Sequence, residues 1–317
     1  MIKSLLTLCF ALFTGLSLYG QGCSDAGFCT MGAMKPDQPF NKKALVKLKS
    51  MELSFYRGKT TTSPIIFVST IDMSFNLVDD KTFLQVKLPY QAVNGNFGKT
   101  SGIGDISLAI TRNLYSSEKF DIGLTLGGKI PVNNSDLKSK ENGLQFPMYY
   151  QTSLGTYDFV TGISLVNRKW LFATGLQHPF NENKNQFTYA AWIPVYQNGK
   201  EEGYVRTYWP AYHLKRGTDI MFRAERNFRY ARFNISLGAL SINRISKDEV
   251  TDPNTNERVK LEGTTGMAFT VIGTFGYNFS VKSGVRLLVG KKLKDRVINP
   301  DGLTRENVTT ISYYYRF

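Results

Sequence analysis

Long apolar runs are scarce in this 317-residue chain, and after the first twenty residues no segment reaches the ~18 consecutive apolar residues a membrane-spanning helix needs. Cysteine and histidine are scarcer still, at three and two. With His178 and His213 as the only imidazoles, and no histidine near a cysteine, a zinc site is excluded and no cofactor is expected. Tryptophan is limited to three, yet phenylalanine and tyrosine reach 22 and 17 and glycine 28. That mixture, at slightly negative mean hydropathy, is expected of sheets whose alternate residues meet lipid and water.

What is present begins with an export signal. Lys3 precedes an apolar run from Leu5 to Leu18, and Ser17-Leu-Tyr-Gly20 offers small residues before Gln21, so residues 1–20 read as a secretory signal. Removal of Cys9 with that signal leaves Cys23 and Cys29, a close pair in an exported chain, which is expected to form a small disulfide loop. A lipid anchor through Cys23 is the weaker alternative, because Tyr19 and Gln21-Gly22 match a lipid-attachment box poorly. Residues 21–42, with Gly32, Lys35-Pro36 and Gln38-Pro39, are poor strand material and are read as either a periplasmic tail or a plug for the domain that begins at residue 43.

From 43 to 317 the period is two. Residues 265–279 put Met267, Phe269, Val271, Phe275, Tyr277 and Phe279 on one face, and Ala268, Thr270, Thr274, Gly276 and Asn278 on the other. The final strand alternates as strictly, with Thr309, Ile311, Tyr313, Tyr315 and Phe317 opposite Thr310, Ser312, Tyr314 and Arg316. About twelve such segments occur: 43–56, 64–77, 82–90, 103–114, 118–131, 155–167, 169–179, 217–226, 230–243, 265–279, 281–292 and 306–317. Short connections near 78–81, 115–117, 167–168, 227–228 and 280 alternate with long ones at 91–101, 132–148, 180–216, 244–264 and 294–305; only the first hairpin, 57–63, departs from the scheme. An exported chain can cross lipid on strands only as a closed barrel. The expected fold is therefore all-β: an up-and-down antiparallel β-barrel of about twelve strands in a Gram-negative outer membrane. Its long loops face outward and both termini the periplasm. Outer-membrane lipid and lipopolysaccharide are the expected surroundings. The strand ending on Phe317 is the segment expected to meet the barrel-assembly machinery.

Formal charge is +14, and losing Lys3 with the signal leaves +13. The basic residues are dispersed and carry no recognition motif, which argues against nucleic acid and for lumen ion pairs and contacts with anionic headgroups. Lys129, Arg223, Arg232 and Arg286 fall on inward positions and are expected to line the lumen, with Asp105 and Asp158 pairing among them. The segment 180–216 concentrates aromatic rings, among them Trp192, Tyr208 and Trp209. It admits three readings: a basket that captures a hydrophobic solute, a folded loop packed on its own barrel, or a girdle touching lipopolysaccharide. No Ser/His/Asp set can be assembled around the two histidines, so an enzyme is not expected.

Three stretches, Gly102-Ile-Gly-Asp-Ile-Ser-Leu-Ala-Ile110, Leu124-Thr-Leu-Gly-Gly-Lys-Ile-Pro-Val132 and Gly155-Thr-Tyr-Asp-Phe-Val-Thr-Gly-Ile-Ser-Leu165, resemble successive strands of the outer-membrane proteins named for meta-pathway phenol degradation. That family is related in architecture to the long-chain fatty-acid channels, and the resemblance spans roughly residues 100–290. It implies passive uptake of small hydrophobic or aromatic molecules. The Cys23/Cys29 segment and the aromatic insertion at 180–216 depart from it, so no substrate carries over. The alternative is a structural or surface-interaction barrel without transport.

Overall fold

The computed structural model describes Met31 and residues 48–60, 62–77, 81–196, 202–303 and 305–317. Cys23 and Cys29, the export signal and, apart from Met31, the segment 21–42 lie outside the described residues.

The strands are β1 (Leu48–Lys59), β2 (Ile65–Leu77), β3 (Thr82–Gly95), β4 (Gly98–Ile103), β5 (Ile106–Ser116), β6 (Asp121–Ile130), β7 (Asp158–Val166), β8 (Trp170–Pro179), β9 (Asp219–Tyr230), β10 (Phe233–Arg244), β11 (Glu249–Thr251), β12 (Arg258–Lys260), β13 (Gly266–Asn278), β14 (Ser283–Lys294) and β15 (Asn307–Arg316). Chain neighbours pair antiparallel around the sheet, and β1 pairs with β15 to close it. β4 and β5 both pair with β3, one beyond the other, and form two halves of a single stave, so the barrel has twelve. The ladder breaks opposite Pro89, which has no N–H to give. There the Gly104 N–H donates to the Pro89 carbonyl at 2.8 Å, and a Cβ at Gly104 would press on that ring at 3.2 Å. The β11–β12 hairpin stands outside the barrel as a separate small sheet.

The expected faces hold. Val271 is 41% exposed while its neighbour Thr270 is 4% exposed, and the same alternation leaves Phe55, Phe67, Ile110, Leu126, Phe172, Phe222, Leu237, Phe275 and Ile311 on the outer wall. Inward positions are mixed, many of them small, polar or charged and others apolar, such as Leu171, Met221 and Leu240. An apolar belt around a closed sheet with polar groups inside is the architecture of a Gram-negative outer-membrane protein, and it places the chain there.

Two connections differ from expectation. Residues 91–101 are not a loop: Val93 points inward between Ala92 and Asn94, β3 runs on to Gly95, and a two-residue turn at Asn96-Phe97 leads to Gly98 at φ +132°. The turn expected at 227–228 lies at Ala231-Arg232, because Asn227 continues the inward row between the outward Arg226 and Phe228. The remaining short turns carry Lys119, Arg168, Lys169 and Lys282, all exposed. Trypsin applied to intact cells is expected to cut first at Arg258 and Lys260 of the external hairpin and to spare Lys119, Lys169 and Arg232; early cleavage at those three would invert the topology.

A candidate lumen and its outer cap

Alternation dictates which side chains enter the barrel, and the entrants sort into two walls. Across β5 to β13, Ala109, Val160, Leu171, Ala173, Met221, Leu240, Ile242 and Ile272 form one apolar cluster, and Met31 is buried against it. The rest of the circumference carries charge in pairs, and a further pair stands on β9 beside that cluster. Lys87 lies 3.8 Å from Asp72, whose two oxygens also accept from Gln85 at 2.9 Å. Arg286 reaches Glu52 at 3.6 Å and lies over the Tyr314 ring at 5.3 Å. On β9, Arg223 pairs with Glu225, which also accepts from Ser236.

Of the four lumen cations expected from the sequence, Lys129, Arg223 and Arg286 are indeed inward and buried. They do not make a bare basic wall: each stands beside a carboxylate, Lys129 as the cross-strand partner of Asp158. Arg232 is not among them. With the turn displaced to 231–232 it lies exposed at the periplasmic rim. Asp158 takes a partner the sequence did not single out, Arg216, which follows the long loop and also donates to Thr156 at 3.2 Å.

The aromatic segment packs onto its own barrel. Trp192 and Tyr208 are 1% and 0% exposed, so neither ring is available to an external solute in this arrangement, whereas Trp209 is 38% exposed. Their partners come from elsewhere: Ile66, Val68 and Val93 from the barrel wall, Phe97 from the β3–β4 turn, and Phe146, Tyr149 and Tyr150 from the loop 131–157. Phe97 meets Trp192 at 4.6 Å between centroids, Phe146 stacks on Tyr150 at 5.4 Å, and Tyr149 meets Tyr208 edge-on at 5.1 Å. Each buried polar tip has a partner, as burial demands. The Trp192 indole donates to the Gln145 carbonyl at 2.6 Å, and Tyr150, Tyr204, Tyr208 and Ser63 share a chain of hydroxyl contacts. Burial holds the Tyr204 and Tyr208 phenols well above their ordinary pKa, so both stay neutral donors. Asn183 and Asn185, fully buried, stitch the two loops together by bonding Leu154, Leu214, Ser135 and Phe146 backbone groups. The result is a folded cap across the outer mouth.

A buried ion cluster fastens that cap to the strand ends. Arg244, the last residue of β10, pairs with Asp219 at 2.7 Å, Asp248 at 2.8 Å and Asp301 at 2.8 Å, and Arg296 adds Asp301 at 3.3 Å. Asp248 also accepts from the Gly217 N–H at 2.6 Å. Three segments, β9, the 245–265 connection and 295–306, therefore meet on one guanidinium, and the end of the long loop joins them through Asp248. No local pattern announces this cluster, because its members are separated by up to 82 positions.

The two histidines sit apart on the outside. His178 Nδ1 is 2.8 Å from the Thr218 hydroxyl and His213 lies 3.6 Å from Glu182. A groove of about 540 Å³ between Phe172, Phe222 and Phe269 opens on the outer wall rather than into the lumen.

No protein-family model matches the chain, and a search of curated proteins finds no match. Among solved structures the barrel is similar to the NanC porin (TM-score 0.46, 6% identity, 85% of this chain and 100% of that one) and to the KdgM porin (0.44, 6%, 84% and 99%). It is also similar to the CymD monoaromatic hydrocarbon channel, at a TM-score of 0.42 and 11% identity over 96% of this chain and 95% of that one. At TM-scores below 0.5 the properties of those proteins are theirs alone, and the reading of this barrel rests on its own walls.

Proposed function

We propose that the chain is an outer-membrane channel for passive uptake of small hydrophobic or aromatic molecules, kept shut at its outer mouth by the folded cap. The observation that carries this reading is the apolar strip on the inner wall, from Ala109 to Ile272, where a water-filled porin presents polar groups. A solute gliding along such a strip sheds water from its apolar face, at about 25 cal/mol for each Å² covered. The lumen charges are paired, so they keep the passage wet beside the strip without a strong bias toward anions. Trp209, the exposed ring of the three expected at a capture site, is the one placed to meet solute first.

A second reading, a structural or surface-interaction barrel without transport, is favoured by Met31, which is packed on that same strip. Loop removal separates the two. Phe187 and Ala211 already face each other across a backbone hydrogen bond of 3.4 Å, so 188–210 can be excised with a short glycine link while Asn183 and Asn185 keep their bonds. This deletion takes out Trp192, Val205 and Tyr208 and is expected to raise proteoliposome uptake of a small neutral aromatic several-fold, with heat-modifiability unchanged. Equal, negligible uptake before and after excision would leave the structural reading.

A further inference from the structure

The outward side chains at the external rim are unevenly charged. On β1, β15 and β14 three successive rows cross the wall from the hydrocarbon outward. Phe55, Ile311 and Leu287 form the first; Arg57, Thr309 and Val289 the second; Lys59, Asn307 and Lys291 the third. A register shift near the end of β14 adds Lys294, opposite the outward Phe269, while Lys292 turns inward to Asp295. Arg57, Lys59, Lys291 and Lys294 are all exposed. At the external ends of β6, β7, β8, β9, β10 and β13 the outward positions are Ile130, Phe159, His178, Ile220, Asn243 and Met267, without a lysine or arginine among them. Glu306 shares this rim, its N–H bonding the Lys59 carbonyl.

Apolar side chains that give way to four cations within three rows, about 14 Å of strand, match a ligand with acyl chains below and anionic groups above. We propose that this face of the barrel binds lipopolysaccharide, the phosphorylated glycolipid of the outer leaflet. Its acyl chains lie on Phe55, Ile311 and Leu287 and its phosphates between Arg57, Lys59, Lys291 and Lys294. Strands two apart are separated by about 10 Å, so the β1 and β14 cations hold separate phosphates instead of crowding one. Asn307 lies between them on β15.

The test uses the full-length barrel in phosphatidylcholine nanodiscs, titrated with bisphosphorylated lipid A and, separately, with the same lipid dephosphorylated, bound copies being counted by native mass spectrometry. Retention of the bisphosphorylated form at least about tenfold more tightly than the dephosphorylated one is expected, as is its loss in R57Q/K59Q/K291Q/K294Q. A set of substitutions at the opposite rim, K119Q/K169Q/R232Q/K282Q, is expected to leave it unchanged. Millimolar inorganic phosphate is expected not to displace the lipid. Equal retention of both lipids by the unaltered protein would overturn the proposal whether or not the variant folds. So would equal retention by the two variant sets, or displacement by phosphate, which would mark a free-anion site.

Discussion

Arg244→Ala is expected to cost about 3–5 kcal/mol and to loosen the outer cap, the largest loss foreseen for any single side chain outside the lipid belt. The guanidinium is fully buried and holds Asp219, Asp248 and Asp301 at 2.7 to 2.8 Å. Taking it away leaves three buried carboxylates, of which Asp248 and Asp301 still face Arg296. The measurement is the midpoint of heat-modifiability on gels, paired with single-channel conductance. A shift in midpoint together with new, noisy conductance would place Arg244 as the fastener of the cap, whereas an unchanged midpoint would mean that the loops hold without it. Acid should act on the same cluster. Burial opposes ionisation of Asp301, but Arg244 and then Arg296 outweigh it and hold its pKa well below the usual carboxylate range. Its contribution is thus complete above about pH 4 and is lost only as pH falls further toward the depressed value. Burial pushes Asp248 upward against the pull of Arg244, and Asp301 adds to the rise, so the first proton of the cluster goes to Asp248. The unaltered cap is expected to stay closed at pH 5, which conductance at pH 7 and pH 5 would check.

Val271→Arg is expected to destabilise the barrel in lipid by about 1–2 kcal/mol, since it lies on the outer wall opposite Lys291 toward the external interface, and its neighbour Thr270→Arg by clearly less. Val271 is 41% exposed on the outer wall of β13 and pairs with the outward Ala239, so an arginine there meets hydrocarbon. Thr270 points into the lumen near the external end, where water and the inward side of the wall can take the charge. Urea titrations of folding into phospholipid vesicles would read both. Equal losses would mean that the outer surface of β13 is not in contact with lipid.

These two predictions differ in how much of each was legible beforehand. The faces of β13 follow from the order of its residues alone, because lipid on one side and lumen on the other impose a period of two on each strand without reference to its neighbours. Hence twelve staves and their faces were open to sequence reasoning. The turn misplaced at 227–228 left the faces intact, since it moved by an even number of residues, and it displaced only Arg232 from the lumen. The break of the fourth stave was also local, written in Pro89 opposite Gly104.

Nothing comparable announces the cap. The concentration of rings in 180–216 was plain, but whether Trp192 and Tyr208 face water depends on Phe97, Phe146 and Tyr150, which reach them from a turn and a loop some 50 to 100 positions away. The same holds for Arg216 with Asp158 and for Arg244 with Asp301. Loops of this length have no repeating environment to impose a pattern on them, so their folding is decided by which distant side chains can jointly satisfy their buried polar groups. The sequence by itself determined a lipid-facing barrel, because alternation is a local response to two solvents. Only the tertiary structure decided that the long loop packs as a cap on its own barrel and that the lumen charges are paired, because both depend on contacts that exist once the barrel has brought the loops together.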